Sequence, residues 1–146
     1  MKISSPAFEP NEPIPLRFAY KGRNHSPPLV FEDVPEKTKS LALVCHDPDA
    51  PMAGGFTHWV VWNIPPGCKG FEENQLPEEA HQGLTDWNQN VWGGPMPPSG
   101  THRYIFYLYA LDGYFNLPKT TNKSLLEKAI DGHILETATL TGVFSA

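Results

Sequence analysis

Three short segments of this sequence contain the residue types that could bind a phosphate-like anion. CHDPDAP (45–51) holds two Asp residues and ends an apolar stretch, and HWVVWN (58–63) opens with a His. GGPMPPSGTHRY (93–104) ends with a His and a Tyr at the start of an aromatic stretch. A carboxylate beside His58 or His102 would favour the imidazolium, which offers positive charge and N–H donors to a phosphate at neutral pH.

The third segment places two polar side chains on one face of a predicted strand. His102 and Tyr104 are two residues apart, so both project to the same side with Cα atoms about 6.6 Å apart. The tyrosine hydroxyl adds a further donor. Arg103 has the opposite parity and is predicted to be a structural partner for a carboxylate or for carbonyls.

The loop before this strand is rich in glycine and proline. At Gly93, Gly94 and Gly100 no Cβ keeps backbone N–H groups away from a bound group, and three prolines stiffen the loop. Such a loop can form an anion nest. Considered alone, it is equally well explained as a rigid turn that binds nothing.

The other two segments also have structural interpretations. At least one of Asp47 and Asp49 could simply accept backbone N–H groups in a turn. His58 shares strand parity with Val60 and Trp62 and is therefore expected on their face. Taken alone, a histidine there is more often a core residue than a ligand.

Composition narrows the class of protein. A chain of 146 residues is the size of one domain. Its net charge of −5 and scattered basic residues argue against nucleic-acid binding. No apolar run approaches the roughly 20 residues that a membrane span needs, and the N-terminus lacks a signal-peptide core, so a cytoplasmic location is expected. Cys45 is predicted to be a buried free thiol, and Cys68 an exposed one.

The elements that must position these residues are mainly strands. β-branched and aromatic runs separated by Pro, Gly, Asn and Asp predict a sandwich-like core, with the strands at 57–64 and 103–111 covered on both faces. A helix is predicted at about 123–131, with Ser124 and Glu127 at capping-box spacing. The long irregular region between about 66 and 101 is where a site or an interface is expected. The predicted strands are 14–18, 29–31, 40–45, 57–64, 103–111 and a final one near 137–142.

Together these segments resemble a known family. DPDAP (47–51), HWVVWNIP (58–65) and GGPMPPSGTHRY (93–104), in this order and with these gaps, are similar to the phosphatidylethanolamine-binding proteins. The resemblance is greatest to the shorter bacterial and archaeal Raf-kinase-inhibitor-like branch, and it includes SPPLVFEDVP (26–35). Each motif is weak by itself, but three in register are a strong signal.

The resemblance implies a single domain over 1–146, mainly β, built as a two-sheet antiparallel Greek-key sandwich with one or two short C-terminal helices. It also implies a small pocket for phosphate or a phosphoryl headgroup. Met96 departs from the family, which has a small residue or Cys there, and it is expected to narrow the rim. The ligand-binding residues carried over are Asp47, Pro51, His58, Gly94, Pro95, Pro97, Pro98, His102 and Tyr104.

These observations favour a non-catalytic binding or regulatory protein that needs no cofactor. The first alternative is an inhibitor of a protein kinase or serine protease that acts through a stiff loop at 66–82 or 93–101. A hydrolase or zinc enzyme built from Asp and His residues is disfavoured because the usual metal and nucleophile spacings are absent. The segment 71–92 is expected to form a homodimer surface or, equally, a loop that covers the sheet; exposed tryptophans would favour the dimer.

Overall fold

Two antiparallel sheets make up the fold in the computed structural model, which describes residues 1–146 throughout. The strands are β1 (Lys2–Ser4), β2 (Leu29–Glu32), β3 (Ser40–Asp47), β4 (Phe56–Ile64), β5 (Gly70–Phe71), β6 (His81–Gln82), β7 (Thr101–Leu111) and β8 (Ile134–Ser145), with one α-helix, α1 (Lys123–Ile130), and a 3-10 turn at Leu16–Phe18. The larger sheet has the strand order β6-β4-β3-β7-β8, and the smaller has the order β1-β2-β5. The predicted mainly β, two-sheet antiparallel class is confirmed.

The central strand, β3, is buried on both faces along its whole length. Its side chains alternate between two cores, as the period of two in a strand requires. Leu41, Leu43 and Cys45 belong to the main core between the sheets. Ala42 and Val44 belong to a smaller core under α1. The end of β3 is therefore held in place from both sides.

β4 is covered on both faces, as predicted, but β7 is not. The side chains of β7 alternate between fully buried residues such as Phe106 and Leu108 and half-buried ones. On the half-buried face the rings of Tyr107 and Tyr109 stack with their centroids 6.4 Å apart. Tyrosine tolerates this position because its ring packs while its hydroxyl stays near water.

The predicted strand at 14–18 is wrong. Leu16–Phe18 forms a 3-10 turn that begins after Pro15, and a proline cannot donate a ladder hydrogen bond. The apolar residues there anchor the segment instead, since Ile14 and Phe18 are both buried in the main core.

The two cysteines are free, and Cys45 is buried as predicted. Cys68 was expected to be exposed but is half-buried, and its thiol donates a hydrogen bond to the carbonyl of Gly70. No helix of the structure has the length and apolar character needed to span a bilayer.

The helix α1 starts one residue before the predicted cap. Asn122, not Ser124, caps it: the Asn122 side chain accepts a hydrogen bond from the backbone N–H of Leu125 at 3.0 Å. Leu126 and Ile130, one turn apart, are buried against the sheet.

The two possible caps can be told apart by stability. Asn122→Ala is expected to lower the free energy of unfolding by about 1 kcal/mol, because a helix N–H loses its acceptor. The matched control, Ser124→Ala, is expected to leave it unchanged or raise it slightly, since alanine is the better helix former. Chemical denaturation of both variants measures this, and a larger loss in Ser124→Ala would refute the assigned cap.

Candidate functional site

A cavity of about 210 Å³ opens where the ends of β3, β4 and β7 meet two loops. Its polar groups are one carboxylate and two imidazoles, and the other side chains that line it are apolar. The lining consists of Asp47, Ala50, Pro51, Met52, Phe56, His58, Trp87, Met96, Pro98 and His102.

A β-bulge in β4 places one of these imidazoles. Cys45 of β3 pairs with Trp59 and His46 pairs with Thr57, so His58 has no residue opposite it. An extra residue of this kind shifts the alternation of side chains along the strand.

The bulge turns His58 to the face of the main core, where its ring contacts that of Tyr104 with centroids 5.1 Å apart. Val60 and Trp62 lie in the smaller core on the other face. The prediction that His58 shares their face is therefore wrong, because strict alternation does not hold across a bulge.

His58 is a neutral acceptor toward the cavity. The residue is 3% exposed, and its Nδ1–H donates to the carbonyl of Gly93 at 2.6 Å. Burial lowers its pKa to about 4, outweighing the opposing effects of that hydrogen bond and of the Asp47 charge. At neutral pH the proton thus stays on Nδ1, and Nε2 carries a lone pair. The predicted imidazolium is wrong for this residue.

The second imidazole pairs with the carboxylate. Nδ1 of His102 lies 2.6 Å from Oδ2 of Asp47, and both residues are buried. The other oxygen of Asp47 accepts the backbone N–H of Asp49 at 2.8 Å. The predicted Asp–His contact therefore forms at His102, and it leaves Nε2 of that ring without a partner in the protein.

Tyr104 lies behind the cavity instead of lining it. Its ring is fully buried against His58, and its hydroxyl has no hydrogen-bond partner. Burial, followed by the nearby Asp47 charge, raises the pKa of this hydroxyl well above its usual value, so it stays protonated. Its clearest role in the structure is to support the His58 ring.

Arg103 is confirmed as a structural partner of a carboxylate. Its Nε and Nη2 donate to Asp49 at 3.0 and 2.9 Å, and its backbone N–H donates to the same carboxylate at 2.9 Å. The side-chain hydrogen bonds lead the interactions that lower the pKa of Asp49 to about 2. This clamp ties the loop after β3 to the start of β7.

The predicted anion nest does not form at Gly93 and Gly94, because both amides are already used. Gly93 N–H donates to the carbonyl of His58 at 3.0 Å, and Gly94 N–H donates to Oδ1 of Asn24 at 2.7 Å. Glycine is needed at position 94 for another reason: a Cβ there would lie 2.0 Å from the carbonyl oxygen of Phe18.

The structure brings five of the nine predicted site residues to the cavity wall and leaves four outside it. Met96 lies at the wall with 44% of its surface exposed, in the place expected for a rim residue. Four further wall residues, Ala50, Met52, Phe56 and Trp87, were not predicted; the only signal for them was a position in or near the motifs. The wall contains Asp47, Pro51, His58, Pro98 and His102, whereas Gly94, Pro95, Pro97 and Tyr104 do not line it.

The two tryptophans of segment 71–92 favour a covering loop over a dimer surface. Trp92 is 2% exposed and its indole N–H donates to the carbonyl of Phe18. Trp87 is half-buried, stacked on Tyr20 with centroids 4.8 Å apart, and in edge contact with His58. Neither indole is available as a large exposed anchor.

No group of three or more His, Cys, Asp or Glu side chains is arranged to hold a metal ion. His46, which adjoins the site in sequence, has both ring nitrogens bonded within the protein, to Thr57 and to the carbonyl of Gly54. The geometry therefore offers no specific support for the zinc alternative.

Comparison with known proteins agrees with the fold and with the motifs. The family model for phosphatidylethanolamine-binding protein matches residues 4–145. A UPF0098 protein of Methanothermobacter thermautotrophicus is 44% identical over 149 residues, which cover 99% of this chain and 98% of the relative. A Chlamydia trachomatis homolog of phosphatidylethanolamine-binding protein superposes with a TM-score of 0.94 at 38% identity, covering 99% and 97% of the two chains. Escherichia coli YbcL, described as a member of the mammalian family, gives 0.94 at 29% identity, covering 99% and 98%. The chain therefore belongs to the phosphatidylethanolamine-binding protein family.

Proposed function

We propose that this protein is a non-catalytic binding or regulatory protein whose cavity takes phosphate or the phosphoryl group of a small headgroup. The observation that carries the proposal is the pair of imidazoles in one cavity. Each ring has Nδ1 bonded within the protein and Nε2 without a protein partner. Neither Nε2 is among the fully enclosed unpartnered atoms, so both remain accessible to a ligand.

The protonation of His58 selects the form of the ligand. A lone pair on Nε2 attracts a P–O–H group and repels an unprotonated oxygen. The Asp47 carboxylate and the net charge of −5 also disfavour a dianion. The preferred ligand is thus a phosphate or phosphomonoester that still carries one proton, a state that such groups lose with a second pKa of about 6.

His102 supplies the complementary contact. In the complex, Nδ1–H of His102 donates to Asp47 and Nε2–H donates to an anionic oxygen of the ligand. One acceptor and one donor thus meet one protonated phosphoryl group. So few contacts support only micromolar or weaker binding once the cost of association is subtracted.

The walls suit a headgroup better than a whole lipid. The cavity is about 210 Å³, and its remaining surface is formed by short aliphatic, aromatic and thioether side chains. A free phosphomonoester also carries the P–O–H group that a phospholipid diester lacks. We therefore place small phosphomonoesters ahead of intact phospholipids as ligands.

Inhibition of a kinase or protease through a loop is the second candidate. It is favoured by the exposed, proline-stiffened stretch 96–100, where Met96 is 44% exposed. Such a loop acts by its shape and does not need the imidazole of His102. Substitution of His102 therefore separates the two candidates.

His102→Ala is expected to weaken the binding of phosphate and phosphoethanolamine by about 10- to 100-fold, because a hydrogen bond to a charged group contributes roughly 1.5–3 kcal/mol. Calorimetric titration measures it. The control is His133→Ala, which removes an exposed histidine paired with Asp112 outside the cavity.

Equal binding by wild type and His102→Ala would refute the site. Hydrolysis of a generic phosphoester by the same samples would refute the non-catalytic assignment. If a target kinase or protease is found, inhibition that survives in His102→Ala but is lost in Met96→Ala would support the loop.

Ligand binding is also expected to depend on pH. Affinity for phosphoethanolamine is expected to be greatest below its second pKa of about 6 and to fall as much as tenfold per pH unit above it, because the form with a P–O–H group disappears. Titrations between pH 5 and 8 stay above the pKa of about 4 for His58, so that ring remains neutral throughout.

Dimethyl phosphate is the matched comparison, because it is a monoanion with no proton to donate. It is expected to bind more weakly than phosphoethanolamine at pH 5.5. Because dimethyl phosphate does not change its charge between pH 5 and 8, any change of its affinity with pH must come from titration of the protein. Tighter binding as phosphoethanolamine becomes a dianion would contradict the assigned His58 tautomer.

A further inference from the structure

A second cavity, of about 200 Å³, lies elsewhere in the fold and shares no residue with the first. Segments near residues 24–26, 74–76 and 91–92 form it together with β4 and β6. No titratable side chain lines it. Its polar groups are four carboxamides and one hydroxyl, and two tryptophans contribute apolar surface.

Ser26 supplies a hydroxyl that makes no hydrogen bond within the protein and faces the cavity. The residue is 6% exposed and lines the cavity, and its Oγ makes no hydrogen bond within the chain. Only its backbone is engaged, by the N–H of Asn74 at 2.9 Å. The Ser26 hydroxyl is not among the fully enclosed atoms without a partner, so its hydrogen-bonding capacity is open to a molecule in the cavity.

Two of the carboxamides already accept a hydrogen bond from the protein at their oxygen atom. Oε1 of Gln82 accepts the indole N–H of Trp59 at 2.8 Å, and Oδ1 of Asn24 accepts the N–H of Gly94 at 2.7 Å. Each amide is thereby oriented and keeps an NH₂ donor with no partner in the protein. The side chains of Asn74 and Gln75 are exposed and add free donors and acceptors.

We propose that this cavity binds a neutral polyol, the ring of a monosaccharide. Hydroxyl groups both donate and accept, so they can satisfy the Ser26 hydroxyl and the free amide donors at the same time. The absence of charged side chains disfavours an ion, because nothing would replace its hydration. Leu76 and Val91, together with the accessible edges of the otherwise buried Trp59 and Trp92, offer apolar contact to the C–H groups of a sugar.

The size of the cavity agrees with one ring. At about 30 Å³ per molecule of liquid water, the volume corresponds to about seven waters, which a single ring would displace. The proposal does not depend on the function of the first cavity, since the two share no residue.

The test is an amide NMR titration of the full chain with methyl β-D-glucopyranoside and with myo-inositol. We expect saturable shifts, with a Kd of about 1 mM, in the side-chain NH₂ signals of Gln82 and Asn24 and in the indole N–H of Trp59. Phosphate added to the same sample is expected to leave these signals unchanged, because it binds in the first cavity. A failure of phosphate to bind would therefore not affect the test of the second cavity.

Variants localise the binding. Ser26→Ala is expected to weaken sugar binding about 2- to 10-fold through the lost hydrogen bond. Gln75→Ala, an exposed change that spares the core, is expected to do the same. The control is Gln89→Ala, an exposed glutamine of the same covering segment that does not line the cavity.

The proposal is overturned if neither polyol gives a saturable shift up to about 100 mM, a hundred times the expected Kd. Saturation by acetamide but not by the polyols would identify an amide site and also overturn it. Equal affinity in Gln75→Ala, Ser26→Ala and Gln89→Ala would place any binding elsewhere.

Discussion

The first cavity depends on a reciprocal pair of hydrogen bonds between β4 and the glycine-proline loop. His58 donates from Nδ1 to the carbonyl of Gly93, and Gly93 N–H donates to the carbonyl of His58. The pair satisfies buried backbone groups at the bulge, where ladder bonds are missing. It also holds the loop against the sheet and fixes the imidazole as a neutral acceptor. The position of the loop and the tautomer of the His58 ring therefore both depend on this pair of hydrogen bonds.

Two carboxylates hold the loop after β3 against β7, and they bind side chains on opposite faces of that strand. Asp47 bonds His102 on the buried face, and Asp49 bonds Arg103 on the exposed face. Successive residues of a strand point to opposite sides, so one dipeptide on β7 engages both ends of a short Asp-Pro-Asp turn. The exposed ion pair itself contributes little stability, as surface pairs generally do. Its consequence is positional, because it keeps the buried carboxylate within reach of the imidazole.

The covering segment 71–92 connects the two cavities. It contributes Trp87 to the first, and Gln75, Gln82 and Trp92 to the second. A long irregular segment in a compact domain usually builds a site, and here it borders two of different chemistry. One cavity has titratable groups suited to a protonated anion, and the other has only neutral polar groups. Tryptophan suits both walls because it offers a large apolar surface, and at the second cavity the indole N–H groups of Trp59 and Trp92 are bonded within the protein.

Local patterns in the sequence determined the fold class, the main strands, the helix and the polar segments that meet at the first cavity. Those features depend on side-chain period, turn residues and motif order, which are properties of neighbouring residues. The same patterns failed where a distant contact decides. The 3-10 turn at Leu16–Phe18 follows from the anchoring of Ile14 and Phe18 in the core, directly after Pro15, and glycine is required at position 94 by the close approach of Phe18.

The chemistry of the site was decided by tertiary structure. The bulge that turns His58 to the main core, and the burial that lowers its pKa to about 4, arise only when β3, the loop and Trp87 pack around it. The sequence could place an aspartate near a histidine, but not say which histidine it would reach. A protonation state depends on solvent exclusion and on partners far apart in the chain, and only the folded chain brings these together.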